Sequence, residues 1–125
     1  MLVAPSVAAS DGVSIGTGNT TCVPGPGANC RDVVHKWTFT HHGDLRGANL
    51  TGANLYEAYV SGANLTGANL NWTYLTNTNL TNTNLTNANL TNANLFGASL
   101  DAAVLTGVTW SKTTCPDGSI TNIGC

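Results

Sequence analysis

A five-residue tandem repeat occupies residues 43–112 and constrains the fold more than any other feature of the sequence. A large apolar residue recurs at every fifth position, and a small residue lies two positions before it almost without exception. We call the large residue the centre of its pentad. The fourteen centres are Leu45, Leu50, Leu55, Val60, Leu65, Leu70, Leu75, Leu80, Leu85, Leu90, Leu95, Leu100, Leu105 and Trp110.

A period of five fits neither an α-helix nor a β-strand. On a helix the centres would spread around the whole circumference, and the 14 glycines and abundant asparagines would make a long helix costly. A single strand over residues 43–112 is far beyond the usual strand length. The remaining possibility is a turn in every pentad, so that the chain forms a square coil with the centre and the small residue inside. Glycine and asparagine after the centre suit the corners because both tolerate positive φ.

Several pentads carry the same short motif and resemble the pentapeptide-repeat family, whose consensus is A-(D/N)-L-x-x. The clearest are Gly47-Ala-Asn-Leu50, Gly52-Ala-Asn-Leu55, Gly62-Ala-Asn-Leu65 and Gly67-Ala-Asn-Leu70. The resemblance implies an all-β fold, the right-handed quadrilateral β-helix, with four pentads per coil. Fourteen pentads then make about 3.5 coils in a stack roughly 17 Å tall. It also implies that residues twenty apart lie above one another in columns.

One layer of this predicted core departs from the repeat. Thr73, Thr78 and Thr83 replace the small inward alanine on three consecutive sides. Their hydroxyl groups need backbone acceptors if they are buried. We interpret the layer as drift of the repeat with satisfied hydroxyls rather than as a functional cavity.

Four cysteines bracket the repeat in two close pairs, Cys22 with Cys30 and Cys115 with Cys125. The spacings are too long for a zinc knuckle, and the even number and the Gly- and Pro-rich loops favour two local disulfides. Reduced, buried thiols are the alternative. The segment after Val108 resembles the Cys-bounded tail of secreted bacterial pentapeptide-repeat proteins. That resemblance supports both the disulfides and an extracellular or cell-surface location.

The chain divides into four predicted segments. Residues 1–21 are a tail, an added strand or the remnant of a signal peptide, and residues 22–42 form an N-terminal cap that includes Trp37 and Phe39. Residues 43–112 are the solenoid, and residues 113–125 are a C-terminal cap closed by a disulfide. Caps are expected because an open solenoid exposes apolar side chains and unpaired backbone at its ends.

Charge and composition exclude several classes of function. Only 8% of the residues are charged and the net charge is −2, so no basic surface for nucleic acid is expected. No apolar run is long enough to span a membrane. His35, His41 and His42 in the N-terminal cap are weak evidence for a metal site, and we predict no metal, cofactor or catalytic residue. The protein is therefore predicted not to be an enzyme.

The outward positions predict a contact surface. The column rule gathers four of the eight aromatic residues on one side, and exposed apolar patches of this kind often mark contacts. The candidate contact residues are Tyr56, Trp72, Tyr74, Thr76 and Phe96. Two other sides present threonine and asparagine, and seven Asn-x-Thr triplets make glycans possible.

We therefore predict a secreted structural or adhesive module that assembles end to end into a filament or binds a protein through its aromatic side. One alternative is a mimic of DNA that binds a topoisomerase, as known for some relatives, but the outward positions carry too few carboxylates for that role. Another is an ice- or carbohydrate-binding surface on the threonine, asparagine or aromatic sides.

Overall fold

The repeat forms a stack of coils in which each residue pairs with the residue twenty positions further on. A computed structural model describes residues 22–33 and 43–125. In it, Asn49 forms a parallel bridge with Asn69, and Asn69 forms one with Asn89. Four such columns of bridges run along the stack, so each coil has four sides of one pentad each. This interval is the one that the sequence predicts.

Adjacent coils are joined by a regular backbone ladder. The N–H of each centre and the N–H two residues later donate to the next coil, as Leu50 does to Asn69 O and Gly52 to Asn71 O, both at 2.8 Å. In return the N–H of Asn69 donates to Ala48 O at 2.9 Å. Apart from these bridges, the described residues contain two short strands, β1 (Thr113–Thr114) and β2 (Ile120–Thr121). They pair antiparallel, with Thr113 opposite Thr121 and Thr114 opposite Ile120.

The corners of the coil are β-turns of one kind. The carbonyl oxygen of each centre accepts the N–H three residues on, for example Leu50 O from Ala53 at 2.9 Å. The third turn residue has positive φ, 72° at Gly52 and 57° at Asn77, as in a type II turn. This geometry explains why the repeat places glycine or asparagine there.

The asparagine before each centre stabilises the following turn. Its side-chain oxygen accepts the N–H two residues on, as Asn49 Oδ1 does from Thr51 at 3.1 Å. The same bond forms at Asn69 and Asn89. The residue that bridges neighbouring coils through its backbone therefore also holds its own corner through its side chain.

The core consists of the centres and the small residues two positions before them. From Leu70 to Leu95 every centre is fully buried. In the threonine layer, Thr78 is also fully buried, and its hydroxyl donates to Leu55 O at 2.7 Å. Thr73 and Thr83 bond Leu50 O and Val60 O in the same way, at 3.0 Å. Each acceptor is a turn carbonyl with a spare lone pair, so all three hydroxyls of the layer are paired.

The coil register extends beyond the predicted solenoid limits at both ends. Asn29 bridges to Asn49, and Cys30 N–H donates to Asn49 O at 2.8 Å, so a pentad with Cys30 as its centre precedes residue 43. At the other end Thr114 bridges to Asn94, and Cys115 occupies the next centre. The physical reason is that a buried half-cystine fills the inward position that leucine fills elsewhere. Part of each predicted cap is therefore coil.

The structure contains the disulfides Cys22–Cys30 and Cys115–Cys125. In each disulfide one cysteine, Cys30 or Cys115, occupies a centre position, and its partner belongs to the chain segment outside the coil. At the C-terminus the chain turns back after Cys115, whose N–H donates to Ser119 O at 2.7 Å. Residues 1–21 and the cap residues Trp37 and Phe39 lie outside the described residues.

Candidate interaction surfaces

One side of the stack carries most of the exposed aromatic residues and spans three coils. We call it the aromatic side and define it by Tyr56, Trp72, Tyr74, Thr76 and Phe96. Tyr56, Thr76 and Phe96 occupy the same pentad position in consecutive coils. The backbone bonds that follow them, Glu57 N–H to Thr76 O at 3.0 Å and Asn77 N–H to Phe96 O at 2.9 Å, fix this alignment. Tyr74 lies on the same side, bridged to Asn54 and Asn94, and Trp72 lies at the corner that leads into it.

All four aromatic side chains of this side are exposed. Their exposed fractions are 43% for Tyr56, 60% for Trp72, 57% for Tyr74 and 52% for Phe96, so each ring presents about half of its surface to solvent. Phe96 lies against Gly118, where an added Cβ would be 3.4 Å from the ring. The aromatic side therefore continues into the turn between β1 and β2.

Trp72 occupies a backbone position that is unfavourable for a large side chain. Its φ is 60°, at the corner position where most pentads have glycine or asparagine. A residue with a Cβ pays about 1–2 kcal/mol in this region. The fold accepts this cost, and the Trp72 side chain is 60% exposed, two residues from Tyr74.

A groove of about 530 Å³ lies beside the aromatic side and includes a tyrosine that the sequence analysis missed. Tyr59 is 59% exposed and precedes a centre on the next side of the coil. The column rule applied to Tyr59, Asn79 and Ser99 would have placed it there. Glu57 is the one carboxylate that lines the groove. A lone carboxylate among amides and hydroxyls suits polar recognition and gives no paired acid and base for catalysis.

On the threonine-rich sides several hydroxyl groups donate hydrogen bonds within the protein. Thr66, Thr86 and Thr91 each donate to the asparagine two residues before them, at 2.6 Å. On the same side as Thr66 and Thr86, Arg46 donates two hydrogen bonds to Asp44 at 2.8 Å. These bonds from the guanidinium lower the pKa of Asp44 and raise that of Arg46.

The carboxylates of the repeat do not form an acidic face. Asp44, Glu57 and Asp101 belong to three different sides of the coil, and Asp44 is paired with Arg46. At the C-terminus the Ser119 hydroxyl donates to Asp117 at 2.6 Å and lowers the pKa of that carboxyl. The carboxylates of the repeat are therefore spread over the coil, and one of them, Asp44, is paired with a cation.

Within residues 22–33 and 43–125, no group of three or more His, Cys, Asp or Glu residues lies close enough to hold a metal ion. His35, His41 and His42 lie outside those residues. The described part of the chain also contains no helix that could span a membrane.

These features define a class of protein, the four-sided β-solenoid with a leucine core and turn-forming corners. The model of the pentapeptide repeat family matches eight copies, over residues 44–82 and 68–107, which together span just over half of the chain. The chain belongs to the pentapeptide-repeat family, as its motifs predict, and shares the right-handed β-helix of that family.

Solved structures include two relatives that match with about 30% identity. HetL, a pentapeptide repeat protein involved in heterocyst differentiation regulation in the cyanobacterium Nostoc sp. strain PCC 7120, is 30% identical. The match covers 74% of this chain but only 43% of HetL, with a TM-score of 0.44. A pentapeptide repeat protein from the thylakoid lumen of Arabidopsis thaliana is 31% identical, over 74% of this chain and 68% of its own, with a TM-score of 0.41. A comparison with curated proteins found no significant match.

Proposed function

We propose that this protein is a secreted, non-enzymatic structural or adhesive module that binds a protein partner through its aromatic side. The observation that carries the proposal is the placement of four half-exposed aromatic rings on one side of a rigid coil. Tyrosine and tryptophan are enriched among the residues that dominate protein–protein binding energy. A disulfide-anchored coil holds them with little loss of conformational freedom on binding.

The cysteines support an extracellular or cell-surface location. All four cysteines form disulfides, which persist in non-reducing environments. The low charge suits an uncharged contact surface better than an electrostatically steered one, because only 8% of the residues are charged.

The alternatives have less support. Mimicry of DNA requires carboxylates in rows, whereas Asp44, Glu57 and Asp101 lie on different sides. An ice-binding face needs regularly presented hydroxyls, and those of Thr66 and Thr86 are already bonded. Carbohydrate binding has one specific observation in its favour, the groove in which an exposed tyrosine lies among amides and a carboxylate.

Site-specific photo-crosslinking tests the aromatic side. A photoreactive phenylalanine is placed at Tyr74 or at Tyr59, which are matched in residue type, pentad position and exposure, 57% and 59%. The proteins are expressed and irradiated in the organism that produces the chain. We expect one defined crosslinked protein from position 74 and none from position 59.

The crosslinked partner is then purified and its affinity for the variants is measured. We expect Tyr74→Ser to weaken binding about tenfold or more, as for an interface hot spot, and Tyr59→Ser to have little effect. Equal crosslinking from both positions, or equal loss of affinity, would reject the aromatic side as the contact. Loss with Tyr59→Ser alone, together with binding of a purified oligosaccharide, would favour the carbohydrate alternative.

A further inference from the structure

The outward residues of the aromatic side alternate between large and small. Two columns of outward positions run along this side, one before and one after the buried centres. The column after the centres holds Tyr56, Thr76 and Phe96 in consecutive coils, and the other column presents Tyr74 at the height of Thr76. Thr76 is half-buried, whereas the three aromatic residues around it are exposed. Thr76 therefore forms the floor of a hollow, with an aromatic residue below it, above it and beside it.

The stacking of the coils fixes the length of this hollow. Neighbouring coils are about 4.8 Å apart, so the backbones of Tyr56 and Phe96, two coils apart, are separated by about 9.6 Å. The bonds from Glu57 N–H to Thr76 O and from Asn77 N–H to Phe96 O hold these two intervals. A ligand that lies along the stack and contacts both rings must therefore repeat its own contacts after about 9.6 Å.

Among the regular peptide conformations, the polyproline II helix has this repeat. It has three residues per turn and a rise of about 3.1 Å, so every third side chain returns to the same face after about 9.3 Å. In a β-strand the same face recurs after about 6.6–6.8 Å. An α-helix advances about 5.4 Å in one turn and about 10.8 Å in two. Neither of these matches the separation of the two rings as closely.

The size of the aromatic side also fits a peptide segment better than a folded domain. An aromatic side chain has about 150–250 Å² of surface to bury. The four rings are 43–60% exposed, so together they offer roughly 400 Å². Specific contacts between folded proteins use about 800 Å² per partner. A polyproline II segment needs less area, because it is already extended and loses little conformational freedom on binding.

The side chains also set the chemistry of the ligand. None of the five residues that define the aromatic side is charged, which favours an uncharged ligand. Tyr56, Trp72 and Tyr74 are exposed and carry O–H or N–H donors, which suit the carbonyl groups that a polyproline II helix leaves without internal hydrogen bonds. The amide oxygens of Asn54 and Asn94 already accept the N–H groups two residues on, so this side has few acceptors left for the hydroxyl groups of a sugar.

We propose that the aromatic side recognises an uncharged, proline-rich segment in the polyproline II conformation, which lies along the stack with an apolar side chain at every third residue. Successive apolar side chains of the segment contact Tyr56 and Phe96, and the turn between them crosses Thr76. The inference rests on the proposed function and deepens it, because it names the kind of protein segment that the aromatic side binds.

Isothermal titration calorimetry of the oxidised full chain tests the spacing with two synthetic peptides. Both peptides have blocked termini and contain nine prolines and three leucines. In the first a leucine follows every two prolines and three prolines end the peptide, whereas in the second a leucine follows every three prolines. We expect the first to bind about fivefold more tightly, because only its leucines share one face of the helix.

Substitutions on the aromatic side test where the first peptide binds. Phe96→Ser removes one of the two rings and should weaken binding about tenfold. Tyr56→Ser removes the other ring and should have the same effect, which keeps the test valid if Phe96→Ser disturbs the turn at Gly118. Tyr59→Ser is the control, because it removes an exposed tyrosine outside the aromatic side and should leave binding unchanged.

Thr76→Tyr distinguishes a hollow of defined length from a merely apolar surface. A ring at position 76 adds apolar surface but fills the space between Tyr56 and Phe96, so we expect binding to weaken about tenfold. Thr106→Tyr is the matched control, because Thr106 is exposed at the same pentad position on another side, and binding should not change. Tighter binding by Thr76→Tyr would overturn the proposal.

Equal affinities for the two peptides, binding of neither, or an affinity that neither Phe96→Ser nor Tyr56→Ser lowers would also overturn it. So would binding of cellohexaose through the same rings in place of the peptide, which would assign the aromatic side to carbohydrate. The protein crosslinked from position 74 separates this inference from the proposed function. A crosslinked segment without proline rejects only the inference, whereas no crosslink from position 74 rejects the protein contact itself.

Discussion

The inner coils and the last coil have the same pentad sequence pattern but different environments. Leu80 and Leu85 are fully buried, while Leu100 and Leu105, directly above them in the same columns, are partly exposed. In the inner coils the N–H of each centre donates to the next coil, whereas the N–H groups of Leu100, Leu105 and Trp110 do not. The pentad therefore specifies a side of the coil, and the next coil supplies much of its stability.

This dependence on neighbours is the general behaviour of repeat proteins, in which stability is close to a sum of repeat and interface terms. In this chain the threonine layer adds side-chain bonds that span coils, since Thr78 reaches Leu55 O. The last coil has one comparable bond, from Thr113 to Leu90 O at 2.8 Å. The contribution of each region to stability can be compared by making the same substitution at different heights in the stack.

The largest difference is expected between two leucine deletions. Leu75→Ala removes a fully buried centre with coils on both sides and should cost about 3–5 kcal/mol of unfolding free energy. Leu105→Ala removes a partly exposed centre and should cost about 1–2 kcal/mol, because less apolar surface is lost from the core. Urea unfolding at low protein concentration measures both. Equal costs would mean that the end of the stack is covered in solution.

The contrast between these leucines also shows what could be predicted from the sequence. The centres, the inward small residues, the corner positions and the twenty-residue columns follow from the period of five alone or from the family resemblance. The partial exposure of Leu105 does not, because it depends on where the chain goes after residue 112. The β1–β2 turn covers one side of the square, and no periodicity encodes that choice.

Two other features had a signal that the sequence analysis did not use. Ala28-Asn29-Cys30 has the pentad motif with cysteine in place of leucine, and it marks an additional coil segment before residue 43. The signal for Tyr59 was its column with Asn79 and Ser99, which lies beside the column of Tyr56, Thr76 and Phe96. The candidate contact residues are on one side as predicted, but their role as a contact stays a prediction.

Removal of the C-terminal disulfide should destabilise the C-terminal end of the stack and leave the inner coils almost unchanged. The bond closes a loop with a sequence separation of 10, so replacing Cys115 and Cys125 by serine should cost about 2–3 kcal/mol. The loss should be local, since the disulfide holds the segment that covers one side of the last coil. In hydrogen exchange, the amides of Leu95 and Gly97, which bond Thr114 O and Pro116 O, should lose protection while that of Leu75 does not. A uniform loss over all coils would contradict this.

A smaller effect is expected in the threonine layer. Thr78→Val keeps the side-chain shape but removes the bond to Leu55 O, and should cost about 1 kcal/mol. Thr76→Val is the matched control, because Thr76 is two residues away and faces outward, so its change should stay within about 0.5 kcal/mol. Thermal unfolding of both variants measures the difference. If the two variants behave alike, the buried hydroxyls do not stabilise the layer.

The smallest effect has opposite signs at two adjacent residues of the last coil. Ala102 has a φ of 57° at a corner, where the two preceding coils have Gly62 and Asn82. Ala102→Gly should relieve about 1–2 kcal/mol of backbone strain and lose about 0.4–1 kcal/mol to the greater freedom of the unfolded chain, a net gain of about 0.5–1 kcal/mol. Ala103 faces inward without positive φ, so Ala103→Gly should lose about 0.5–1 kcal/mol. Opposite shifts in urea unfolding would show that the corner geometry persists at the C-terminal end of the stack. Shifts of the same sign would mean that the last coil has frayed, because a frayed turn no longer distinguishes the two positions.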